Sequence, residues 1–232
     1  MTIRLVVFDI AGTTVHDEGT VGECLARALL TAGVAVDRAS VNAVMGEPKP
    51  VAIAKLLTRQ TGRAVSADAG QVGEIYVRFE ALMVAHYRSS AGVRPVDGAE
   101  DVFRALKDRG IRVALDTGFN RLIVDAILQR LGWCDSGIID VTVASDEVAR
   151  GRPYPDLIER AMRLTGVTRG AEVAKVGDTP SDLLEGTAAG CSKVIGITTG
   201  SHTREALAEH PHTDLVDHLR EVPPLCCEPA GC

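Results

Sequence analysis

The chain has 232 residues, 46% of them hydrophobic and 24% charged, with a net charge of −6. That length can bury a sizeable core, as one large domain or as a core with an insert, and the acidic balance without any basic run argues against a nucleic-acid footprint. No apolar run is long enough to span a bilayer, and MTIRLVVFDIAG enters a strand without the apolar region and cleavage site of a signal peptide, so the expected setting is cytoplasmic, with no membrane partner.

The first element is VVFDIAGTT, Val6 to Thr14, where apolar residues run into Asp9 and the pair Ala11-Gly12 opens onto Thr13 and Thr14. A buried strand that stops at a carboxylate before a glycine turn suits a nucleophile at the C-terminal edge of a parallel sheet. It suits equally a carboxylate that caps the turn, and the stretch alone leaves both readings open. After a polar passage, Leu25, Ala28, Leu29 and Ala32 recur at helical spacing until Gly33 ends the run. Helical patterns alone continue to about Ser90: around Val41 to Met45, around Val51 to Leu57, and from about Ala67 to Tyr87. SSAGVRPVDG then reads as a hinge-like connection.

Beyond the hinge the pattern alternates. Helix Ala99 to Arg109 leads to strand Ile111 to Asp116, helix Arg121 to Leu131 to strand Ile138 to Ala144, helix Asp156 to Thr165 to strand Glu172 to Gly177, and helix Ser181 to Ala189 to strand Lys193 to Ile197. Such alternation implies right-handed crossovers and a parallel sheet covered on both faces. Strand Ile3 to Phe8 has no other partner and joins that sheet. The expected fold is therefore α/β: a doubly wound parallel-sheet core, residues 1–15 and 96–232, with a helical cap inserted at residues 16–95. No paired C-x-x-C spacing would hold zinc. Cys24, Cys134 and Cys191 read as buried thiols, and Cys226, Cys227 and Cys232 as an oxidation-prone tail.

In a parallel sheet the residues just after each strand converge at one edge even when far apart in sequence. Here those residues are Asp9, then Thr117-Gly118 in ALDTGFN, then Arg152 in RGRPYP, then Asp178 and Asp182 in KVGDTPSD. Taken singly, Asp178 could cap the next helix and Arg152 could sit in a surface ion pair. Together and in this order they resemble the haloacid dehalogenase superfamily of phosphotransferases over essentially the full chain. The resemblance implies a Rossmann-like core and Asp9 as a nucleophile that passes through an aspartyl-phosphate. It implies Thr117, Gly118 and Arg152 around the phosphoryl group, and Mg²⁺ bound by Asp9, the Ala11 carbonyl and Asp178, with Asp182 orienting that metal site.

Two positions depart from the superfamily's common pattern. Ala11 stands where most members carry a second aspartate that protonates a leaving alcohol, and Arg152 replaces the usual lysine. Both departures look like those of the phosphonoacetaldehyde hydrolase, or phosphonatase, family, whose motif reads D-x-A-G-T-T. In that family a cap lysine forms a Schiff base with the substrate aldehyde, so that C–P cleavage expels an enamine and needs no acid at the Ala11 position. Met45-Gly46-Glu47-Pro48-Lys49 is similar to the family's M-G-x-x-K, which nominates Lys49 for the imine and puts Met45 beside the substrate. On spacing alone Lys49 is a solvated lysine in a Pro-rich turn; Ala11 together with the family match reverses that.

A Schiff-base lysine must be neutral when it attacks. Pro50 suits a helix start, which would set Lys49 at a positive N-terminus and lower its pKa, while Glu47 pushes the other way. Phosphonatases also carry a histidine three residues after the lysine and a tyrosine after the Thr-Gly pair, where this chain has Ala52 and Phe119. His16 or a water is the candidate replacement base. The expected reaction is Mg²⁺-dependent C–P hydrolysis of a small 2-oxoalkylphosphonate. Two readings stay open beside it: a phosphatase of a small phosphate monoester, or a catalytically weak relative that binds a phosphorylated metabolite. The resemblance also implies a homodimer through the cap.

Overall fold

The computed structural model describes residues 2–226. Strand β1 (Leu5–Asp9) is buried along its whole length and lies at the centre of the sheet. Four helices follow before the next strand: α1 (Thr20–Leu30), α2 (Arg38–Asn42), α3 (Lys49–Thr61) and α4 (Gly70–Ser89). Helix α5 (Ala99–Lys107) then leads into β2 (Arg112–Asp116), α6 (Arg121–Leu131), β3 (Val141–Val143), α7 (Asp156–Thr165), β4 (Val173–Gly177), α8 (Pro180–Ala188) and β5 (Lys193–Ile197). The described chain ends through α9 (Arg204–Ala208), β6 (Asp214–Val216) and α10 (Val222–Cys226).

All strand pairs are parallel, in the order β3-β2-β1-β4-β5-β6. Leu5, Val6, Val7 and Phe8 are apolar at consecutive positions because both faces of β1 are covered, the expected pattern for a parallel strand packed between helices. Register sets Asp9 directly beside Asp116, so two strands deliver carboxylates to one level of the sheet edge.

The chain leaves the core after Thr14 and returns near Val96, and the two crossings are stitched together. His16 N donates to Arg94 O at 3.0 Å and Val96 N to Thr14 O at 2.9 Å, flanking an antiparallel bridge between Val15 and Pro95. Within the insertion, Val72, Ile75, Phe79, Met83 and Tyr87 form the buried stripe of α4 at steps of three and four. That stripe packs against α1 and α3, and α4 also lies along core helix α6. Asn120 there donates to Glu80 of α4, so a polar contact ties the insertion to the core.

Several element bounds differ from the sequence reading. The helix expected around Val41 to Met45 lies earlier, because Asp37 accepts from Ser40 N at 2.7 Å and starts it at Arg38. The long helix begins at Gly70, and the strand expected over Ile138 to Ala144 keeps only three residues. β6 has no counterpart in the sequence reading: three residues between polar flanks are too short to show a period. Of the cysteines read as buried, Cys24 is buried, Cys191 half-buried and Cys134 exposed. Cys226, read as tail, is buried in α10, while Cys227 and Cys232 lie outside the described residues. Among the described residues no helix is long and apolar enough to cross a membrane.

Candidate active site

The site begins with the turn after β1. Gly12 has φ +89°, and a Cβ there would meet Asp178 Oδ2 at 2.7 Å, so both the turn and the approach of Asp178 require glycine. Thr14 Oγ1 donates to the Asp9 carbonyl at 2.9 Å and fixes the backbone just behind the carboxylate. Thr13 Oγ1 donates to Asp178 Oδ1 at 3.1 Å, while Ser201 N and Oγ donate to Oδ2 at 2.7 and 2.8 Å. Asp182 sits at the third position of α8, where its Oδ2 accepts from Thr179 N at 3.2 Å in a capping box and from Thr179 Oγ1 at 2.6 Å, and its Oδ1 lies 3.0 Å from Arg152 Nη1. Carboxylate oxygens of Asp9, Asp178 and Asp182 lie within 4.8 Å of one another.

Arg152 is wholly buried and gripped on every side. Nη1 donates to Asp9 Oδ1 at 2.6 Å, Nε to Glu185 Oε2 at 2.9 Å, and Nη2 to the Asp116 carbonyl at 3.0 Å and to its carboxylate. With Nε and Nη2 held from behind, Nη1 is the edge turned toward Asp9. Lys175, on β4, is a second buried cation, bonded to Asp116 and lying 3.2 Å from Asp182 and 3.1 Å from Glu185. Asp116, Asp182 and Glu185 form another tight acidic group, and the Lys175 ammonium is already the cation among them.

The charges argue that a divalent ion fits the first group. Asp9, Asp116, Asp178, Asp182 and Glu185 are buried here against Arg152, Lys175 and Lys49, a formal excess of two negative charges. Burial raises the Asp9 pKa to about 7, Asp182 and Asp178 adding to the rise and Arg152 opposing it. Burial likewise raises Asp178 to about 6, reinforced by Asp182. Asp116 behaves oppositely: burial works against its charge, yet Arg152 and Lys175 hold it below the usual carboxylate range. Hard carboxylate oxygens in excess of their cations are the donor set that Mg²⁺ takes.

The Met45–Lys49 loop closes over this edge. Pro48 caps α3, so Lys49 is its first residue, as the sequence suggested. Lys49 is only 2% exposed; its Nζ donates to the Glu47 carbonyl at 3.2 Å and lies 5.4 Å from the centre of the Phe119 ring and 5.9 Å from that of Phe79. Burial lowers its pKa from 10.5 to about 8, against the pull of Asp9, with Arg152 assisting and Glu47 opposing. The fit of loop to core depends on missing side chains, since a Cβ on Gly118 would meet the Glu47 carbonyl oxygen at 2.7 Å and one on Gly151 would strike Pro48.

Asp9, Ala11, Met45, Lys49, Thr117, Gly118 and Arg152 all line one chamber of about 20 Å³, room for about one water. Asp178 and Asp182 do not line it, though their carboxylates lie beside that of Asp9. Asp17 and Ser201, which sequence reading does not single out, also line it. His16 does not: it faces a separate cavity with Arg94 and His218 and lies 3.8 Å from Glu18, so it is not placed to replace a missing base in this chamber. Lys175, Asp116 and Glu185 also escape the sequence reading; a lysine inside the apolar run VAKVG is the available signal.

A family model for haloacid dehalogenase-like hydrolases matches residues 3–190. The chain belongs to that family. Within it, a phosphonoacetaldehyde hydrolase of Bacillus cereus is 31% identical over 214 residues, covering 87% of this chain and 78% of that one. The enzyme of the same name from Bacillus thuringiensis is 31% identical over 211 residues with the same coverage. Among solved structures, a phosphonoacetaldehyde hydrolase-like protein from Oleispira antarctica superposes with a TM-score of 0.84 at 20% identity, covering 97% of this chain and 92% of that one. CbbY from Rhodobacter sphaeroides, solved with xylulose-1,5-bisphosphate, superposes with a TM-score of 0.78 at 23% identity, covering 95% and 96%. The chain is thus a haloacid dehalogenase-like hydrolase of the phosphonatase-like branch.

Proposed function

We propose that this hydrolase cleaves the C–P bond of a small 2-oxoalkylphosphonate through an imine on Lys49 and a phosphoryl group on Asp9, with the inserted helices acting as a cap. The observation that carries the reading is the burial of Lys49 in the same chamber as Asp9 and Ala11, where no carboxylate stands at position 11 to protonate an alkoxide. With a pKa of about 8, roughly a tenth of Lys49 is neutral at pH 7.

Neutral Lys49 Nζ adds to the carbonyl carbon, and water leaves as the protonated imine forms. Asp9 then attacks phosphorus. The C–P bond breaks, and its electron pair moves into the carbon–carbon double bond of an enamine while the iminium charge disappears. The enamine carbon takes a proton from water, hydrolysis of the imine frees Lys49 and the carbonyl product, and a second water cleaves the aspartyl-phosphate to inorganic phosphate. Thr117 and the Nη1 edge of Arg152 hold the phosphoryl oxygens in line with Asp9. Asp9, the Ala11 carbonyl and Asp178 would hold Mg²⁺, with Asp182 steadying them, and the bound ion would offset charge on the phosphoryl oxygens. Since the closed chamber has room for about one water, substrate must enter with the cap raised about the Val15–Pro95 crossing.

Borohydride added during turnover of phosphonoacetaldehyde should leave a reduced adduct on Lys49, read by peptide mass spectrometry. Lys49→Ala should lose both the adduct and phosphate release. No adduct, together with phosphate monoesters turned over equally well by Lys49→Ala, overturns the reading in favour of a phosphatase.

A further inference from the structure

Beside the reaction chamber lies a much larger space, with which it shares part of its wall. A cavity of about 460 Å³ lies between α1, α2 and the Gly200–Ser201 loop, and Asp17, Met45 and Ser201 line both this cavity and the chamber. The cavity exists because α1 turns a small-residue face toward α2. Gly19, Gly22 and Ala26 recur there at helical spacing, and a Cβ on Gly22 would already meet Val41 at 3.2 Å. The volume falls in the range of small-molecule sites, whereas a two-carbon carbonyl phosphonate leaves such a space unused.

Its lining is part apolar and part acidic. Ala26, Val36, Val41 and Met45 give apolar wall, while Asp17, Glu18 and Glu23 set three carboxylates against the single guanidinium of Arg38. A chain continuing past the carbonyl would therefore meet apolar surface together with an excess of carboxylates.

Resting on the function proposed above, we infer that this cavity is a substrate subsite, and that the substrate is a 2-oxoalkylphosphonate extended beyond its carbonyl by several carbons ending in a protonated amine. Phosphonate and carbonyl occupy the chamber, the alkyl segment passes Met45, and the ammonium lies among the carboxylates of α1 and the turn before it. Met45 thereby stands at the junction between the reacting group and the group that is recognised.

The test compares phosphate release from phosphonoacetaldehyde, a 2-oxo-6-aminohexylphosphonate, and the acid of matching length with a terminal carboxylate. The unaltered protein should favour the amine over phosphonoacetaldehyde by roughly tenfold or more in kcat/KM, and over the acid by at least as much. Ala26→Phe, which fills the cavity, should lower turnover of the amine at least tenfold more than that of phosphonoacetaldehyde. Glu23→Lys, an exposed change that tests the same point without repacking, should shift preference from the amine toward the acid. Equal kcat/KM for short and extended substrates, or equal effects of both variants on all three, overturns the subsite and leaves the C–P reading standing. Absence of phosphate release and of a Lys49 adduct with every carbonyl phosphonate overturns both.

Discussion

Lys49→Met isolates the energetic cost of keeping this lysine dry. The side chain is 2% exposed and its pKa falls from 10.5 to about 8, and each tenfold change in a protonation equilibrium corresponds to about 1.4 kcal/mol. The folded state therefore carries a penalty of about 3 kcal/mol relative to the unfolded chain, already net of the attraction of Asp9 and Glu47. Because the folded pKa is the depressed one, the unfolded chain binds the extra proton between about pH 8 and 10.5. The penalty is complete below pH 8 and disappears as pH rises through 10.5. Methionine matches the stem of lysine without its charge, so the variant should lose imine formation yet gain about 2–3 kcal/mol of stability at pH 7, roughly 4–12 °C in Tm for a chain of this size. Urea and thermal unfolding of both proteins, in EDTA to hold the acidic cluster free of metal, should show the gap narrowing as pH rises from 8 to 10.5. A variant that is less stable at pH 7, or a gap independent of pH across that window, would refute the reasoning: the attraction to Asp9 would then outweigh burial.

Other substitutions and conditions probe the remaining groups. Asp116→Asn removes a charge shared by Arg152 and Lys175, and kcat should fall roughly 10–100-fold while the borohydride adduct on Lys49 persists; loss of the adduct as well would mean general collapse of the chamber. If Mg²⁺ binds at Asp9 and Asp178 as proposed, it must displace protons from groups titrating at about 7 and about 6, so its affinity by calorimetry should climb from pH 5 to 7 and then level; a flat profile places the ion elsewhere. Ala11→Asp adds a carboxylate to the chamber that Lys49 lines, and a charge at such close range, at an effective dielectric of about 20, stabilises an ammonium by about 2–4 kcal/mol. Adduct formation at pH 7 should then slow by roughly a hundredfold; an unchanged rate would show that position 11 and Lys49 are electrostatically independent.

The sheet edge was legible in the sequence because parallel strands convert four distant loops into one place, and Asp9, Thr117, Arg152 and Asp178 do converge there. What hid was charge inside the layers. Asp116 closes β2 and Lys175 sits in the middle of β4, at the end of and within apolar runs, and periodicity reads such segments as core without asking which partner neutralises them. Glu185 lay in a helix that looked ordinary, and its burial makes sense only once the Arg152 and Lys175 cations are known to meet it. The large cavity was equally silent: nothing in the sequence singles out Gly19, Gly22 and Ala26, because a missing side chain has meaning only when the facing wall is known. His16 failed for the converse reason. It is close to Asp9 in sequence, but the turn at Gly12 and the crossing at Val15 send it to the other side of the chain.

Ala11 and Lys49 are best understood as one electrostatic choice. Closing the chamber removes water from groups of opposite sign, moving Lys49 down to about 8 and Asp9 up to about 7, so the empty closed site strains both charges at once. An alkoxide leaving group would add a negative charge where the methyl of Ala11 can neither protonate nor solvate it, beside carboxylates that already outnumber their cations. In the reaction proposed, an iminium on Lys49 would reverse the balance. Its positive charge relieves the acidic excess before the C–P bond breaks, and bond cleavage then consumes that charge instead of creating a new one. In a low-dielectric chamber a step that cancels charge is favoured over one that creates it, so the lack of an acid at position 11 supports the proposed electron-accepting leaving group. Among the described residues that line the chamber, the one side chain that can make such a group from a carbonyl is Lys49.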